Sequence, residues 1–151
     1  MIEEFQGKYR FLSNFYPSIL QGLGAWKVVN TVEHAYQAWK TNNFEEQKEI
    51  LNASTAGIAK RLGNCCTMRE DWEEIKLNVM FMLVYQKFSL IKEYREKLLA
   101  TGNSNLIEGN YWHDNYWGNC VCGKPRCSGG MGENHLGKIL MKVRSVLKGE
   151  I

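Results

Sequence analysis

Three polar side chains of complementary chemistry lie close together in the sequence: a carboxylate, Glu33, an amide, Gln37, and an amine, Lys40. On a helix their i, i+4 and i+7 spacing places them on one face. Apolar residues at the neighbouring positions would hold that helix against a core. A carboxylate and an amine at the margin of a core can acquire shifted pKa values, as acid, base or nucleophilic catalysis requires. The spacing alone leaves an ordinary solvated Glu–Lys pair open as the alternative.

Residues 110–118 form a second segment with chemical potential, because four aromatic residues surround His113 and Asp114. A loop this aromatic either packs into a core or faces a planar ligand. The chain has two aspartates, and Asp71 stands where it can cap a helix, so Asp114 is the better candidate for a second catalytic carboxylate. The alternative is that Asp114 only forms an Asx turn in the loop.

A glycine-rich segment, residues 129–137, leads into a predicted helix that Asn134 could cap. Free backbone N–H groups at such a turn, together with the helix dipole, favour an anion such as phosphate. The surrounding residues 111–151 hold six basic and three acidic side chains, which fits a phosphorylated small ligand better than a long polyanion. The segment matches neither a Walker A nor a dinucleotide-binding pattern, and many glycine loops bind nothing.

Three cysteines, Cys120, Cys122 and Cys127, share a turn-rich loop in a C-x-C-x4-C pattern. Structural zinc needs four ligands, and this pattern supplies three. The candidates for the fourth ligand are His113, His135, Cys65 and Cys66. The competing interpretations, in which the protein has no cofactor, are free loop thiols or an adventitious disulfide formed in air.

The elements that must position these groups are mostly helices. Residues 2–29 predict strands and loops with a turn at residues 22–24, and helices are predicted at 31–40, 44–52, 55–63, from 71 through 86, 92–100 and 136–148. Asn43 caps the second helix with Glu46 completing a capping box, Ser54 caps the third, and Gly63 ends it. The sequence therefore predicts one mainly α domain over residues 1–151 with a small hairpin or sheet from the N-terminal third.

Composition places the chain among ordinary folded proteins. The net charge of +3 is too small to indicate a protein that wraps duplex nucleic acid, and 44% hydrophobic residues is ordinary globular usage. The most apolar run, residues 79–85, is too short to span a bilayer, so no membrane contact is predicted. Five cysteines without a secretion leader favour reduced thiols and a cytoplasmic location.

Taken together, these segments resemble the NADAR, or YbiA-like, family. The resemblance runs in order through residues 11–17 (FLSNFYP), 31–40 (TVEHAYQAWK), 59–63 (AKRLG), 71–72 (DW), 106–108 (LIE), 114–118 (DNYWG) and 132–141 (GENHLGKILM). The combination is specific, although each piece alone is not. The cysteine segment is absent from some relatives, so the resemblance implies no metal.

The resemblance implies a YbiA-like helical domain that hydrolyses the bond between a ribose C1 and a base nitrogen. The predicted substrate is ADP-ribose attached to guanine in nucleic acid or a nucleotide, with nucleic acid contacted through the modified base. The alternatives are a phosphorylated ribosyl intermediate of riboflavin biosynthesis, or a module that binds ADP-ribose or a nucleotide without cleaving it. A zinc-stabilised interaction protein is a further possibility from the cysteine loop.

The resemblance also assigns roles to residues. Glu33 is the principal acid or base, Lys40 attacks C1 of a ring-opened ribose or binds phosphate, and Asp114 orients ribose hydroxyls or supports the cationic centre. No cofactor is required for this chemistry. The residues expected to contact the substrate are Arg10, Asn14, Gln37, Trp72, Trp117, Gly132 and Asn134.

Overall fold

The structure, a computed structural model, describes residues 1–23, 26–127 and 131–151. The chain divides into two compact units: the central unit, Asn14–Ile91, and the terminal unit, made of Met1–Ser13 and Lys92–Ile151. The prediction of one domain over residues 1–151 stays a prediction. Of the predicted turn at residues 22–24, the first two belong to a strand and Gly24 lies outside the described residues, as do Gly129 and Gly130 of the glycine-rich segment.

The central unit is built around its first helix. A hairpin of β1 (Leu20–Leu23) and β2 (Trp26–Val29), with Leu20 opposite Val29, precedes α1 (Val32–Trp39). The helices that follow are α2 (Phe44–Leu51), α3 (Ala56–Cys65) and α4 (Trp72–Leu90). Because α1 packs against α2, α3, α4 and β2, most of its side chains are buried whatever their polarity.

The terminal unit combines two packed helices with short extended segments. Its elements are a 3₁₀ helix over Gly7–Leu12, α5 (Lys92–Ala100), β3 (Gly109–Asn110), β4 (Asn119–Cys120), a 3₁₀ turn over Pro125–Cys127 and α6 (His135–Lys148). β3 and β4 pair in parallel, and Ile2 bridges to Leu106. The predicted mainly α fold with a small β element is therefore confirmed. Among the described residues, no helix has the length and apolar character needed to cross a bilayer.

Two predicted helix caps of the central unit are wrong. The hydroxyl that caps α3 is that of Thr55, which accepts from the Ile58 N–H at 3.1 Å, and not that of Ser54. Asp71 makes no capping bond, because its carboxylate accepts two hydrogen bonds from the Arg69 guanidinium at 2.5 and 3.1 Å. A charged donor at this range is a stronger partner than a backbone N–H.

The predicted capping box of α2 forms only in part. Asn43 caps the helix as predicted, accepting from the Glu45 and Glu46 N–H groups. The Glu46 carboxylate turns away from the helix start and accepts from Thr41 at 2.6 Å and from the N–H and hydroxyl of Thr67. These tertiary bonds join the end of α1 to the chain after α3, a role that local sequence does not indicate.

Gly63 does not end α3, because the helix continues to Cys65 and Gly63 lies inside the contact with α1. A Cβ at Gly63 would collide with the Gln37 side chain, lying 2.7 Å from its Cδ and 2.9 Å from its Cβ and closer still to its Oε1. The missing side chain is therefore what allows α1 and α3 to approach one another.

Replacing Gly63 by alanine is expected to destabilise the central unit by about 2 kcal/mol, because a methyl group must displace the buried Gln37 side chain. Gly57→Ala in the same helix is the matched control, since nothing but the Thr55 hydroxyl lies within 4 Å of a Cβ there, at 3.9 Å. That variant should gain up to about 1 kcal/mol from helix propensity. Urea unfolding of both variants measures the difference, and equal stabilities would contradict the packing argument.

Helix α4 buries a lysine. Met82 is 38% exposed, whereas Lys87 is 1% exposed, with its Nζ 5.0 Å from the Phe88 ring centre and 6.0 Å from that of Tyr16. Burial lowers the pKa of Lys87 to about 7. Because the middle of the helix is apolar nearly all round, its sequence pattern could not identify the innermost face.

Lys87 should make stability depend on pH between its folded pKa of about 7 and its unfolded value of 10.5. In that window the unfolded chain binds more protons than the folded chain, so the free energy of unfolding rises with pH. Relative to Lys87→Met, the wild type should gain about 2 kcal/mol between pH 7 and pH 9. Chemical unfolding of both proteins at each pH measures this, and parallel pH profiles would refute the assignment.

Candidate active site

The start of α1 is fixed by side chains that the sequence analysis did not single out. The Thr31 hydroxyl accepts from the His34 N–H at 3.0 Å and hydrogen-bonds to His34 Nδ1 at 2.7 Å. His34 Nε2 donates to the Ala53 carbonyl at 2.9 Å. With both ring nitrogens engaged and the ring buried, His34 anchors α1 to the end of α2 and so fixes the position of its neighbour, Glu33. The sequence feature that could have identified this anchor is a threonine three residues before a histidine.

The Glu33 carboxylate is 7% exposed and is held from two sides. Its Oε1 accepts from Gln37 Nε2 at 2.7 Å, and its backbone N–H donates to the Asn14 carbonyl at 3.1 Å. Burial raises the pKa of Glu33, and the Gln37 hydrogen bond and the nearby charges of Lys60 and Lys40 oppose that shift. We predicted this group at the edge of the core; it lies inside, because α1 is covered on most of its faces.

Lys40 lies at the C-terminal end of α1 and is partly buried. Its Nζ is 5.5 Å from the ring centre of Tyr36, in the range of a cation–π contact. Burial lowers the pKa of Lys40, and the negative charge of Glu33 partly reverses the effect. Among the described residues no ion pair within 4.0 Å joins Lys40 to Glu33, so the two groups interact electrostatically without neutralising each other by direct contact.

Two further lysines contribute to this cluster and were missed as functional residues. Lys60 of α3 carries its Nζ 5.9 Å from the Phe15 ring centre, and its charge lowers the pKa of both Glu33 and Lys40. Lys76 of α4 pairs with Glu73 at 2.6 Å and also lowers the pKa of Lys40. Lys60 lies within the family-like segment 59–63, which was the signal that could have identified it. One buried carboxylate thus lies in the field of several amines.

Three predicted substrate-binding residues of the central unit have defined structural contacts. Asn14 is buried and donates from Nδ2 to the Met80 sulfur at 3.3 Å. Gln37 orients Glu33, and its own Oε1 has no hydrogen-bond partner within the part of the chain that the structure describes. Trp72 is 3% exposed and packs on Tyr36 with ring centres 5.1 Å apart, which leaves little of its ring for a planar ligand. Their contacts with a substrate stay predictions.

Beside the end of α1, residues 41–43 and 67–71 line an open groove of about 560 Å³. Neither Glu33 nor Lys40 lines it, and its Arg69 is paired with Asp71. The groove therefore does not contain the buried Glu33 and Lys40 pair.

The terminal unit holds the other predicted residues. Asp114 Oδ1 accepts from the N–H groups of Tyr116 at 3.1 Å and Trp117 at 2.8 Å, so it forms the Asx turn considered as an alternative. Trp117 is half-buried with its ring edge-on to Tyr116, at 5.0 Å between centres. Arg10 is exposed in the last turn of the first 3₁₀ helix. Catalysis by Asp114 and ligand contacts of Arg10 and Trp117 stay predictions.

Within the described residues, the N–H groups of residues 132–136 are not free, contrary to expectation. The His135 N–H donates to the Tyr116 carbonyl at 3.1 Å and the Leu136 N–H to the Trp117 carbonyl at 3.0 Å. The Gly132 N–H donates to Asn119 Oδ1 at 2.7 Å, and a Cβ at Gly132 would collide with the carbonyl oxygen of Gly118. This glycine is therefore explained by close backbone packing. Its proposed contact with phosphate stays a prediction that these bonds do not support.

Asn134 precedes α6 but does not cap it with its side chain. It adopts a left-handed backbone, φ 52°, and its Oδ1 accepts from the Glu108 N–H at 3.0 Å. Its Nδ2 donates to the Leu106 carbonyl at 2.9 Å. Both amide atoms thus join the start of α6 to residues 106–108. The predicted cap is wrong because the Asn134 side chain is used for these bonds and does not bond to the N–H groups of α6.

The described residues contain one group of side chains suited to a metal ion: His113, Cys120, Cys122 and Cys127, with all four ligand atoms within 4.8 Å of one another. Among the candidates for a fourth ligand, the fold selects His113. His135 instead contacts Glu133 at 2.5 Å.

Comparison with known proteins gives a consistent result. The model of the NADAR domain family matches residues 2–148. An N-glycosidase of Nostoc punctiforme is 40% identical over 126 residues, which cover 78% of this chain and 74% of that protein. The N-glycosidase YbiA of Escherichia coli is 35% identical over 119 residues, covering 78% and 69%.

A riboflavin biosynthesis protein of Vibrio vulnificus is 36% identical over 141 residues. These cover 91% of this chain but only 35% of the Vibrio protein. The NMR structure of Escherichia coli YbiA superposes with a TM-score of 0.81 at 31% identity, covering 99% of this chain and 88% of that one. The YbiA-like helical fold is thereby confirmed.

Proposed function

The chain belongs to the NADAR domain family, and from that membership and the environment of Glu33 we propose that it is an N-glycosidase that hydrolyses the bond between a ribose C1 and a base nitrogen. The relatives named N-glycosidases, of which this chain spans 74% and 69%, support the reaction class. The observation that carries the proposal is the buried Glu33 carboxylate, oriented by Gln37 and surrounded by amines.

Breaking the C1–N bond develops positive charge at C1 of the ribose. A carboxylate held in low-dielectric surroundings stabilises that charge more strongly than a solvated carboxylate does. Because burial raises the pKa of Glu33, its protonated form is also accessible, and it can deliver a proton to the leaving base. The resulting carboxylate can then accept a proton from the water that hydrolyses the covalent intermediate on Lys40, in the acid-then-base order of retaining glycoside hydrolysis.

Lys40 is the proposed nucleophile on a ring-opened ribose. Its lowered pKa increases the fraction of neutral amine, which is the form that attacks carbon. Opening the ring breaks the bond between C1 and the ring oxygen, which leaves as a hydroxyl, and keeps C1 joined to the base nitrogen as an imine. The neutral Lys40 amine then adds to C1, the base nitrogen leaves with the proton that Lys40 gives up, and water hydrolyses the Lys40 imine to the ribose aldehyde and the free amine. The competing role is a cation that binds phosphate, which would not benefit from a lowered pKa.

We propose ADP-ribosylated guanine as the substrate, with a phosphorylated ribosyl intermediate of riboflavin biosynthesis as the second candidate. Both present a C1–N bond near phosphate, and the charges of Lys40 and Lys60 suit either. The family resemblance supports the first. The second is favoured by the name of the Vibrio relative, although this chain corresponds to only 35% of that protein.

Glu33→Gln should lower kcat by about 10³-fold, because it keeps the shape and the Gln37 contact but removes both the charge and the proton. Glu45→Gln is the matched control, since Glu45 is an exposed carboxylate on α2 of the same unit. Single-turnover hydrolysis by both variants, with thermal melts to show equal folding, gives the comparison. Near-normal turnover in Glu33→Gln would refute the assignment.

The substrate is decided by the same assay with two compounds: a short oligonucleotide carrying ADP-ribosylated guanine, and a ribosylaminopyrimidine phosphate. We expect the wild type to release ADP-ribose from the first compound, and Glu33→Gln to release it about 10³-fold more slowly. Cleavage of the second alone would transfer the proposal to the riboflavin-related class. Binding of either compound without turnover would favour a module that only recognises the ligand.

Lys40→Arg and Lys40→Met separate the two roles of Lys40. Arginine keeps a cation but cannot form a Schiff base, so a nucleophilic Lys40 predicts that both variants lose kcat by at least about 10²-fold. Borohydride added during turnover should attach the sugar covalently to Lys40, as peptide mass spectrometry can detect. Substantial activity in Lys40→Arg together with no adduct would assign Lys40 to phosphate binding.

A further inference from the structure

Residues 113–127 of the terminal unit, from the segment after β3 through β4 to the 3₁₀ turn, gather one imidazole and three thiols. His113 Nδ1 lies 3.3 Å from the Cys127 sulfur, 3.4 Å from that of Cys122 and 3.8 Å from that of Cys120. Four residues spread over fifteen positions of the chain therefore converge on one point, with Cys120 and Cys127 buried.

These separations match those around a tetrahedral metal ion. Zinc–sulfur bonds of about 2.3 Å and zinc–nitrogen bonds of about 2.0 to 2.1 Å at tetrahedral angles put nitrogen and sulfur about 3.5 Å apart. The three distances observed here, 3.3, 3.4 and 3.8 Å, lie around that value. A disulfide would join two of the thiols but would leave the third thiol and the imidazole without a reason to converge.

Groups that surround the four side chains also fit metal ligation. The Lys124 N–H points to the Cys122 sulfur at 3.5 Å, and Asn115 Nδ2 points to the Cys127 sulfur at 3.5 Å. The other side of the same amide, Asn115 Oδ1, accepts from the Cys120 N–H at 2.9 Å. Donors directed at sulfur stabilise thiolate ligands and fix their orientation.

The backbone at His113 is a further sign of a constrained site. Its φ of 71° lies in the left-handed region, which non-glycine residues seldom occupy. Such a conformation persists where the surroundings over-determine it, and it directs the imidazole towards the three thiols.

We propose that His113, Cys120, Cys122 and Cys127 bind one structural zinc ion in a Cys₃His site. Three thiolates and one imidazole are a ligand set that zinc prefers over calcium or magnesium, and four protein ligands leave no open position for a substrate or water. Three thiolates and Zn²⁺ carry a net charge of −1, which Lys124 and Arg126, between the second and third cysteine, can offset.

The ion would stabilise the segment that carries Asp114 and Trp117. That segment lies between His113 and Cys120, and short hydrogen bonds within it depend on Asn110 and Asn115. A metal bond at each end would hold the turn in a short loop that has little apolar core of its own. No zinc ligand is itself a proposed catalytic group, so metal binding can be measured separately from N-glycosidase turnover.

Metal analysis of the full chain, purified under reducing conditions with zinc supplied, is the first test. We expect one zinc ion per chain, with a dissociation constant at or below about 10 nM. Cys122→Ser should lose the ion, whereas Cys65→Ser, which removes an exposed thiol of α3, should keep it. A chelator should lower the melting temperature of the wild type and of Cys65→Ser but not that of Cys122→Ser.

Cobalt gives a test that needs no folded variant of a ligand residue. Titration of the metal-free wild type with Co²⁺ should produce the intense visible absorption of a tetrahedral thiolate site, saturating at one equivalent. His113→Asn, a residue type that tolerates a left-handed backbone, should weaken binding by at least about 100-fold. No bound zinc and no such absorption, or zinc retained by Cys122→Ser, would overturn the proposal.

Discussion

The central unit depends on burying a carboxylate inside a helix contact. Glu33 lies on the first helix of the unit, and that helix packs against three others, so only 7% of Glu33 is exposed to solvent. The hydrogen bond from Gln37 satisfies one carboxylate oxygen, and Gly63 on α3 leaves the space that Gln37 occupies. The close packing of α1 on α3 therefore depends on the same contacts that bury and orient Glu33. A change in any one of these features changes the others.

The charges around Glu33 explain why a buried acid is tolerated and what it is suited to do. Lys40 and Lys60 act on it through space rather than by direct ion pairs, so their attraction offsets part of the desolvation cost without capping the carboxylate. The pKa of Glu33 is raised and that of Lys40 is lowered. An acid and an amine shifted in this way are typical of functional sites rather than of surface ion pairs. Lys87, in the same unit, is a second buried titratable group, and desolvation of its amine lowers its pKa and the stability of the folded unit.

In the terminal unit, hydrogen bonds rather than a buried charge position the segment before α6. Its segment before α6 is held by backbone and amide hydrogen bonds, which use the N–H groups that a phosphate would need. Sequence reasoning attributed the glycines and Asn134 there to anion binding, because loop glycines and an amide before a helix are common to anion sites and to tight packing. Only the partners of Gly132 and Asn134 across the fold distinguish these two uses.

By itself, the sequence determined the helical class, the positions of most helices and the motif that carries Glu33 and Lys40, because helix periodicity and capping are local properties. The tertiary structure alone decided that Glu33 is buried rather than marginal, that Gly63 is a packing residue, and that His113 is the partner of the cysteines. Each of these depends on atoms brought together from distant positions in the chain. The burial of a group and its pKa depend on the atoms that surround it in the fold, and residue spacing in the sequence does not encode those atoms.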